Sequence, residues 1–108
     1  MTDRTDFVVV LVTTPDTETA ESIARVLVEE RLAACVNVLP ACSSVYRWEG
    51  KIQRDEEALM LIKSRRDRFR TVETRILELH GYDVPEIVAL DITAASDGYL
   101  DFLTRSLS

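Results

Sequence analysis

The middle of the sequence predicts a β-hairpin that is long for a chain of 108 residues. Side chains alternate between two strand faces on both sides of Glu49-Gly50, a dipeptide typical of a tight turn in which Gly50 adopts a positive φ. The two arms together run to about 30 residues, against about 5–6 for a typical strand. A monomer of this size cannot cover such a hairpin, so its edges predict pairing with a partner chain.

The first half of the chain predicts a strand, a helix and the start of the hairpin. Residues 7–12 form a continuous apolar run typical of a central strand. Apolar side chains at helical spacing predict a helix over residues 15–30, with the Thr14 hydroxyl as its cap. Residues 33–39, which are apolar apart from Asn37, then lead to Pro40, which predicts a bulge or bend in the first arm.

The second half of the chain predicts two more helices and one more strand. Residues 66–80 have the spacing of a helix, and Gly81 is its predicted stop. Residues 84–93 are apolar enough to form a strand. Ser96 and Asp97 are the predicted caps of a short C-terminal helix.

The order of these elements predicts the fold class. A β-α-β-β-α-β core followed by a short C-terminal helix is an α+β, ferredoxin-like split βαβ arrangement, with the helices on one face of the sheet. A length of about 100–150 residues is usual for one domain, so we expect residues 1–108 to form a single domain.

Composition excludes several classes of function. The chain has 13 Lys plus Arg and 19 Asp plus Glu, and its formal net charge of −6 argues against a nucleic acid partner. Three Gly cannot build a Gly-rich phosphate cradle, and one His and two Cys cannot supply a closed four-ligand zinc site from one chain. No stretch approaches the roughly 20 apolar residues of a membrane span, and none has signal-peptide length. We therefore expect a cytoplasmic protein without a membrane partner.

The cysteines support the same compartment. Cys35 and Cys42 are seven residues apart, which in an extended chain is roughly 23 Å and far beyond the ~6 Å that a disulfide tolerates. A bend at Pro40 shortens this distance, but two reduced, packed thiols are the simpler interpretation.

Several blocks of sequence occur together in a characteristic order. The most specific are the Tyr-x-Trp-x-Gly hairpin tip at residues 46–50 and the His-x-Tyr-x-x-Pro-Glu segment at residues 80–86. Further blocks lie at residues 29–37, 44–52, 57–63 and 99–100. With these blocks the chain resembles the CutA divalent-cation tolerance family, from Val8 to about Leu103.

The resemblance implies a ferredoxin-like subunit in a tight homotrimer with the architecture of PII signalling proteins. It also implies a cytoplasmic location and a link to copper and other divalent cations. A closed three-fold ring would satisfy the long hairpin edges by symmetry. The trimer would carry a formal charge of 3 × (−6) = −18, which favours attraction to cations.

His80 is the candidate metal ligand that matches the family's motif, and Cys35 is a second candidate because a thiolate suits Cu(I). The family's copper proposals also rest on a Cys late in the first strand and on a second His, but this sequence has Val12 and Leu79 at those places. The alternatives are that His80 bonds to a carbonyl at the helix end and that Cys35 is a small buried hydrophobe.

Four polar residues in the matching blocks form a candidate intersubunit cleft: Glu57, Lys63, Tyr82 and Glu86. Either the cleft binds an effector or a metal, or these side chains form salt bridges and hydrogen bonds between subunits. Glu57 and Lys63 are six residues apart on one strand face, about 20 Å, so we do not expect them to pair within one chain.

Two aromatic residues and one basic cluster have simpler interpretations. Tyr46 and Trp48 are able to stack on a ligand, but alternating aromatics on a long hairpin more often pack an interface, here the trimer interface. The arginines at 65, 66, 68 and 70 are expected to form a solvated helix face. No nucleophile or acid–base pair stands out, so we do not expect an enzyme.

The sequence therefore predicts a cytoplasmic homotrimer of divalent metal tolerance that binds copper or another divalent cation, has no tightly bound cofactor and is not catalytic. The alternative is a PII-like signalling module that binds a small anionic effector between subunits. A third possibility is a trimer that only scaffolds another protein.

Overall fold

The computed structural model describes residues 5–108 and contains one four-stranded sheet with three α-helices in that part of the chain. The elements in chain order are β1 Phe7–Thr14, α1 Thr17–Glu29, β2 Cys35–Trp48, β3 Lys51–Arg65, a 3₁₀ turn Arg66–Arg68, α2 Phe69–Leu79, β4 Ile87–Asp91 and α3 Asp97–Ser106. The sheet order is β2-β3-β1-β4, with all neighbours antiparallel. This arrangement confirms the predicted α+β, ferredoxin-like fold.

The long hairpin is present as the sequence predicts. β2 has 14 residues and β3 has 15. Trp48 pairs with Lys51, so the loop consists of Glu49 and Gly50 alone, with φ angles of 50° and 80°. Two consecutive positive φ values define the tight turn that matches the twist of the flanking strands.

A bulge interrupts the first arm where Pro40 predicted it. The register between β2 and β3 shifts between Leu39 and Cys42, and Ala41 has a φ of 58°. Proline has no N–H to give to a ladder, so an irregularity at this point costs the sheet little. The bulge separates the part of the hairpin next to β1 from the part that projects beyond it.

The main core lies between one face of the sheet and the helices α1 and α2. Strand alternation places the side chains of Val8, Val10 and Val12 on this face, and all three are buried. Their buried neighbours from the other elements are Ala20, Ile23, Leu27, Ala33, Ala58, Met60, Ile62, Val72 and Ile76. The prediction that the helices cover one face is therefore confirmed for α1 and α2.

The helix α3 packs elsewhere. It forms a second cluster in which Leu103 and Leu107 contact Phe7 and Ala34. Phe7 alternates with Val8 along β1, so its side chain lies on the face opposite α1 and α2. The Ser96 cap predicted for this helix is confirmed, since the Ser96 hydroxyl accepts a hydrogen bond from Tyr99 N at 3.3 Å.

The start of α1 differs from the prediction. Its cap is Asp16, whose carboxylate accepts from Thr19 N at 2.7 Å, and not Thr14, which ends β1. The Thr14 hydroxyl instead donates to the Asp16 carbonyl at 2.7 Å. The backbone N–H of Thr19 holds the pKa of the Asp16 carboxyl below its ordinary value. A charged acceptor at Asp16 is the stronger of the two available caps.

The end of α2 also differs. The α-helix ends at Leu79, and His80 has extended backbone angles of φ −87° and ψ 145°, so the chain leaves the helix before Gly81. The first residues of the predicted helix form a 3₁₀ turn. The strand predicted over residues 84–93 is reduced to Ile87–Asp91, because its pairing with β1 extends only over those five residues.

No helix in the described part of the chain is both long enough and apolar enough to cross a membrane.

Truncation of a fully buried side chain in α2 tests the described core. Ile76 is 0% exposed, so Ile76→Ala is expected to lower the free energy of unfolding by about 2–5 kcal/mol. The adjacent Leu77 is 51% exposed, and Leu77→Ala is expected to change the free energy of unfolding by no more than about 0.5 kcal/mol. Urea unfolding of both variants measures the difference, and equal losses would contradict the packing of α2 on the sheet.

Candidate functional site

A groove of about 840 Å³ lies between the projecting hairpin and the loop that follows α2. One wall is formed by β2 and β3 beyond the bulge, and the other by residues 81–86. The lining residues are Thr13, Ser44, Val45, Tyr46, Trp48, Asp55, Glu57, Gly81, Tyr82, Asp83, Val84, Pro85 and Glu86. Its size is that of a site for a small molecule.

The register of the hairpin places the polar side chains of the first wall. Counted from the two-residue turn, Tyr46 lies opposite Gln53 and Ser44 lies opposite Asp55. Tyr46 and Asp55 are therefore diagonal neighbours on one face, and the Tyr46 hydroxyl donates to the Asp55 carboxylate. This hydrogen bond raises the pKa of Tyr46.

A second tyrosine and a second carboxylate join the two walls. The Tyr82 hydroxyl donates to Glu57 Oε2 at 2.9 Å. Glu57 is only 8% exposed, whereas Tyr82 is 38% exposed. Burial, and then the hydrogen bond to Glu57, raise the pKa of Tyr82 to about 12. The phenol is therefore protonated at neutral pH and acts as a donor to Glu57.

His80 holds the second wall against β1. Tyr82 N donates to His80 Nδ1 at 3.1 Å, and His80 Nε2 lies 2.7 Å from the Thr13 carbonyl oxygen. A backbone N–H only donates and a carbonyl only accepts, so Nδ1 is the acceptor and Nε2 carries the proton. The ring is thus held in one neutral tautomer, 9% exposed and 4.7 Å from the Tyr82 ring centre.

This arrangement bears on His80 as a metal ligand. Both ring nitrogens are hydrogen bonded to backbone groups, and one of the partners is the carbonyl that the simpler interpretation of His80 expected. A metal at Nδ1 would have to displace the N–H of Tyr82. Within residues 5–108, no group of three or more His, Cys, Asp or Glu side chains is arranged to hold a metal ion. A metal-binding role for His80 stays a prediction.

Cys35 lies far from His80 along the sheet. It pairs with Lys63, which pairs with Val9, whereas His80 contacts Thr13. Val9 and Thr13 are four positions apart on β1, about 13 Å, and Cys35 lies two strands away from β1 in addition. Cys35 contacts α3 instead, where burial and then the neighbouring thiol raise the pKa of Tyr99. One chain therefore does not bring the two candidate ligands together.

The predicted cleft residues are only partly grouped. Glu57, Tyr82 and Glu86 all line the groove, but Lys63 does not, and its amine donates to the side-chain oxygen of Asn37. Lys63 and Glu57 form no ion pair, as expected from their separation along the strand. Both cysteines carry free thiols, as predicted.

Four further aromatic or acidic residues line the groove, although the sequence predicted another role, or none, for each of them. Tyr46 and Trp48, predicted for the trimer interface, lie in the first wall, and Asp55 and Asp83 add carboxylates. The position of Asp55 could have been found by counting the hairpin register from Glu49-Gly50, whereas no local pattern marks Asp83. None of the described residues that line the groove is Lys, Arg or His.

The arginines near the start of α2 are engaged elsewhere. Arg65 pairs with Asp67, Arg66 with Asp91 and Arg70 with Glu73, and Arg68 donates to the Arg31 carbonyl. These contacts agree with a solvated, paired helix face and not with an anion site.

Most side chains on the sheet face opposite α1 and α2, which we call the open face, are apolar. Alternation and strand pairing place on it Val9, Leu11, Leu39, Leu59, Leu61, Val88 and Leu90. Leu39, Val88 and Leu90 are 43%, 46% and 50% exposed. The described residues of α3 cover only the Phe7 end of this face.

The Tyr82–Glu57 contact predicts a pH dependence of stability. The folded-state pKa of about 12 exceeds the ordinary value of 10.0, so the protonated phenol stabilises the fold below about pH 10. This contribution is lost as the pH rises from about 10 through 12. Between about pH 10 and 12, the free energy of unfolding is expected to fall less in Tyr82→Phe than in the wild type. Urea unfolding at a series of pH values measures this difference. An unchanged profile would show that Tyr82 does not titrate there.

Comparison with known proteins identifies the family of the chain. The family model described as CutA1 divalent ion tolerance protein matches residues 8–106. The divalent-cation tolerance protein CutA of Thermus thermophilus is 50% identical over 98 residues, covering 91% of this chain and 95% of that protein. The chloroplastic protein CutA of Arabidopsis thaliana is 46% identical, and the match covers 92% of this chain but 54% of that protein.

A solved structure agrees with the sequence relatives. The divalent cation tolerance protein Cut A1 from Thermus thermophilus superposes with a TM-score of 0.91 at 47% identity, covering 94% of this chain and 99% of that one. The resemblance carried by the hairpin tip and by residues 80–86 is thereby confirmed, and the chain belongs to the CutA divalent-cation tolerance family.

Proposed function

We propose that the chain acts in divalent-cation tolerance as a cytoplasmic homotrimer that binds copper or another divalent cation and catalyses no reaction. Membership of the CutA family is the observation that carries the proposal. The open face, the long hairpin and the acidic groove each support one part of it.

The open face supports self-assembly. Apolar side chains from all four strands lie side by side on it, and an exposed apolar surface of this kind marks an interaction site. The hairpin strand β2 is at the edge of the sheet and has 14 residues. A long edge strand invites pairing with another chain, and a closed three-fold arrangement satisfies every such edge.

The charge supports a cationic ligand. The chain has a formal net charge of −6, and the groove contains the carboxylates of Asp55, Glu57, Asp83 and Glu86 without a described basic neighbour in its lining. Such a potential concentrates cations at the surface and repels anions. For the same reason, the groove does not favour the alternative of a small anionic effector.

His80 and Cys35 are the proposed copper ligands, and His80 would bind through Nδ1 after release of the Tyr82 N–H. Imidazole and thiolate are ligands that suit copper. Because more than about 13 Å of sheet separates Cys35 from Thr13, which His80 contacts, the two side chains would serve one metal only if neighbouring subunits brought them together.

Substitution on the open face tests the assembly. Leu90→Lys places a charge among the apolar side chains of β4 and is expected to convert a trimer at micromolar concentration into smaller species. Leu77→Lys is the matched control, since Leu77 is equally exposed, at 51% against 50%, but lies on α2. Sedimentation equilibrium measures both. A wild-type chain that sediments as a monomer would refute the trimer.

Substitution of the only histidine tests the copper site. His80→Gln keeps an amide N–H for the Thr13 carbonyl but removes the imidazole, and is expected to weaken Cu²⁺ binding by at least about tenfold. For the thiol, Cys35→Ser is compared with Cys42→Ser. Competition titration with a chelator gives the affinities, and circular dichroism confirms folding. Equal copper affinity in wild type and His80→Gln would exclude His80 as a ligand.

A further inference from the structure

We propose that the groove between the hairpin and residues 81–86 binds a small organic cation that carries an ammonium or guanidinium group. This inference goes beyond the proposed function, because it requires neither copper nor a ligand role for His80. It starts from Glu57, a largely buried acid that forms no ion pair with any described Lys, Arg or His.

Glu57 is a buried acid without a basic partner among the described residues. It is more than nine-tenths buried, and it lines the groove. Its one described hydrogen bond is from the Tyr82 hydroxyl to Oε2, and no described Lys, Arg or His forms an ion pair with it. Glutamate is rarely buried unless it is paired, because removing the charge from water is costly. A cation in the groove would supply the missing partner.

Three aromatic residues surround the space next to this acid. Tyr46 and Trp48 line one wall and Tyr82 lines the other. The faces of aromatic rings attract cations, with Trp the strongest. The two phenols donate to Asp55 and Glu57, so these hydrogen bonds hold both carboxylates in place within the groove. Acids held beside aromatic rings suit a cation with a partly apolar body.

The size and the composition of the groove narrow the class of ligand. A volume of about 840 Å³ is far larger than one metal ion and falls in the usual range for small-molecule sites. The lining acids are not grouped as a metal site within residues 5–108. Anions are disfavoured because the described lining has carboxylates and no basic side chain. An ammonium or guanidinium group can form an ion pair with the carboxylates and a cation–π contact with the aromatic rings.

Calorimetric titration of the intact protein tests the ligand class. Agmatine and cadaverine are the cationic probes, with 1,5-pentanediol as a neutral comparison and glutarate as an anionic one. Saturable binding is expected for at least one of the two amines and for neither comparison compound. Absence of binding by both amines, or equal binding by the diol, would overturn the proposal without affecting the copper and trimer experiments.

Matched variants locate the binding. Glu57→Gln keeps an acceptor for Tyr82 but removes the charge, and is expected to weaken amine binding by at least about tenfold. Glu56→Gln makes the same change one residue away, at an exposed position outside the groove, and is expected to leave binding unchanged. Trp48→Leu, at a residue 52% exposed, tests the aromatic contribution even if Glu57→Gln does not fold. Wild-type affinity in Trp48→Leu and in every folded Glu57→Gln sample would overturn the proposal.

The thermal midpoint of unfolding without added ligand tests two alternatives for the cation that pairs with Glu57. It is either a small molecule or a basic side chain of a neighbouring subunit. If the groove awaits a small cation, Glu57→Gln removes an uncompensated buried charge and leaves the midpoint unchanged or raises it. The amine then raises the midpoint of the wild type alone. If a neighbouring subunit already supplies the cation, Glu57→Gln lowers the midpoint and the amine has no effect, which would overturn the proposal.

Discussion

Strand β3 pairs with β2 on one side and with β1 on the other, so the alternation of its side chains decides which residues share a face across three strands of the sheet. One face receives Met60 and Ile62, which α1 and α2 bury. The opposite face receives the apolar side chains that remain half-exposed, and further along the hairpin it receives the acid Glu57. The core, the open face and the groove therefore all depend on the alternation of side chains along β3.

The groove exists because hydrogen bonds hold residues 80–82 against β1 and against the hairpin. The ring of His80 bridges the Thr13 carbonyl and the Tyr82 N–H, which fixes the start of the 81–86 loop against β1. The Tyr82 hydroxyl then reaches Glu57 on the hairpin. The same histidine that the family resemblance suggests as a copper ligand is thus also a structural link, and the two roles compete for Nδ1.

The negative charge of the groove, whose described lining contains no basic side chain, supports a cation in both proposed ligand classes. Copper requires donor atoms at bonding distance, and within one described chain these are not grouped. An organic cation requires only a buried acid and ring faces, and Glu57, Tyr46, Trp48 and Tyr82 provide both. Assembly of subunits is the step that would join His80 to donors from another chain.

Local patterns were sufficient for the element order, the tight turn, the bulge at Pro40 and the Ser96 cap, because each depends on neighbouring residues alone. The family resemblance, and not a local pattern, grouped Glu57 with Tyr82. Only the tertiary structure decided what the His80 ring contacts, because its hydrogen bond to the Thr13 carbonyl joins residues 67 positions apart. The same holds for the length of β4, which is set by its pairing with β1, and for the walls of the groove. Contacts between residues so far apart produce no local pattern in the sequence. The sequence by itself therefore determined the helices and strands, whereas the tertiary structure determined the site.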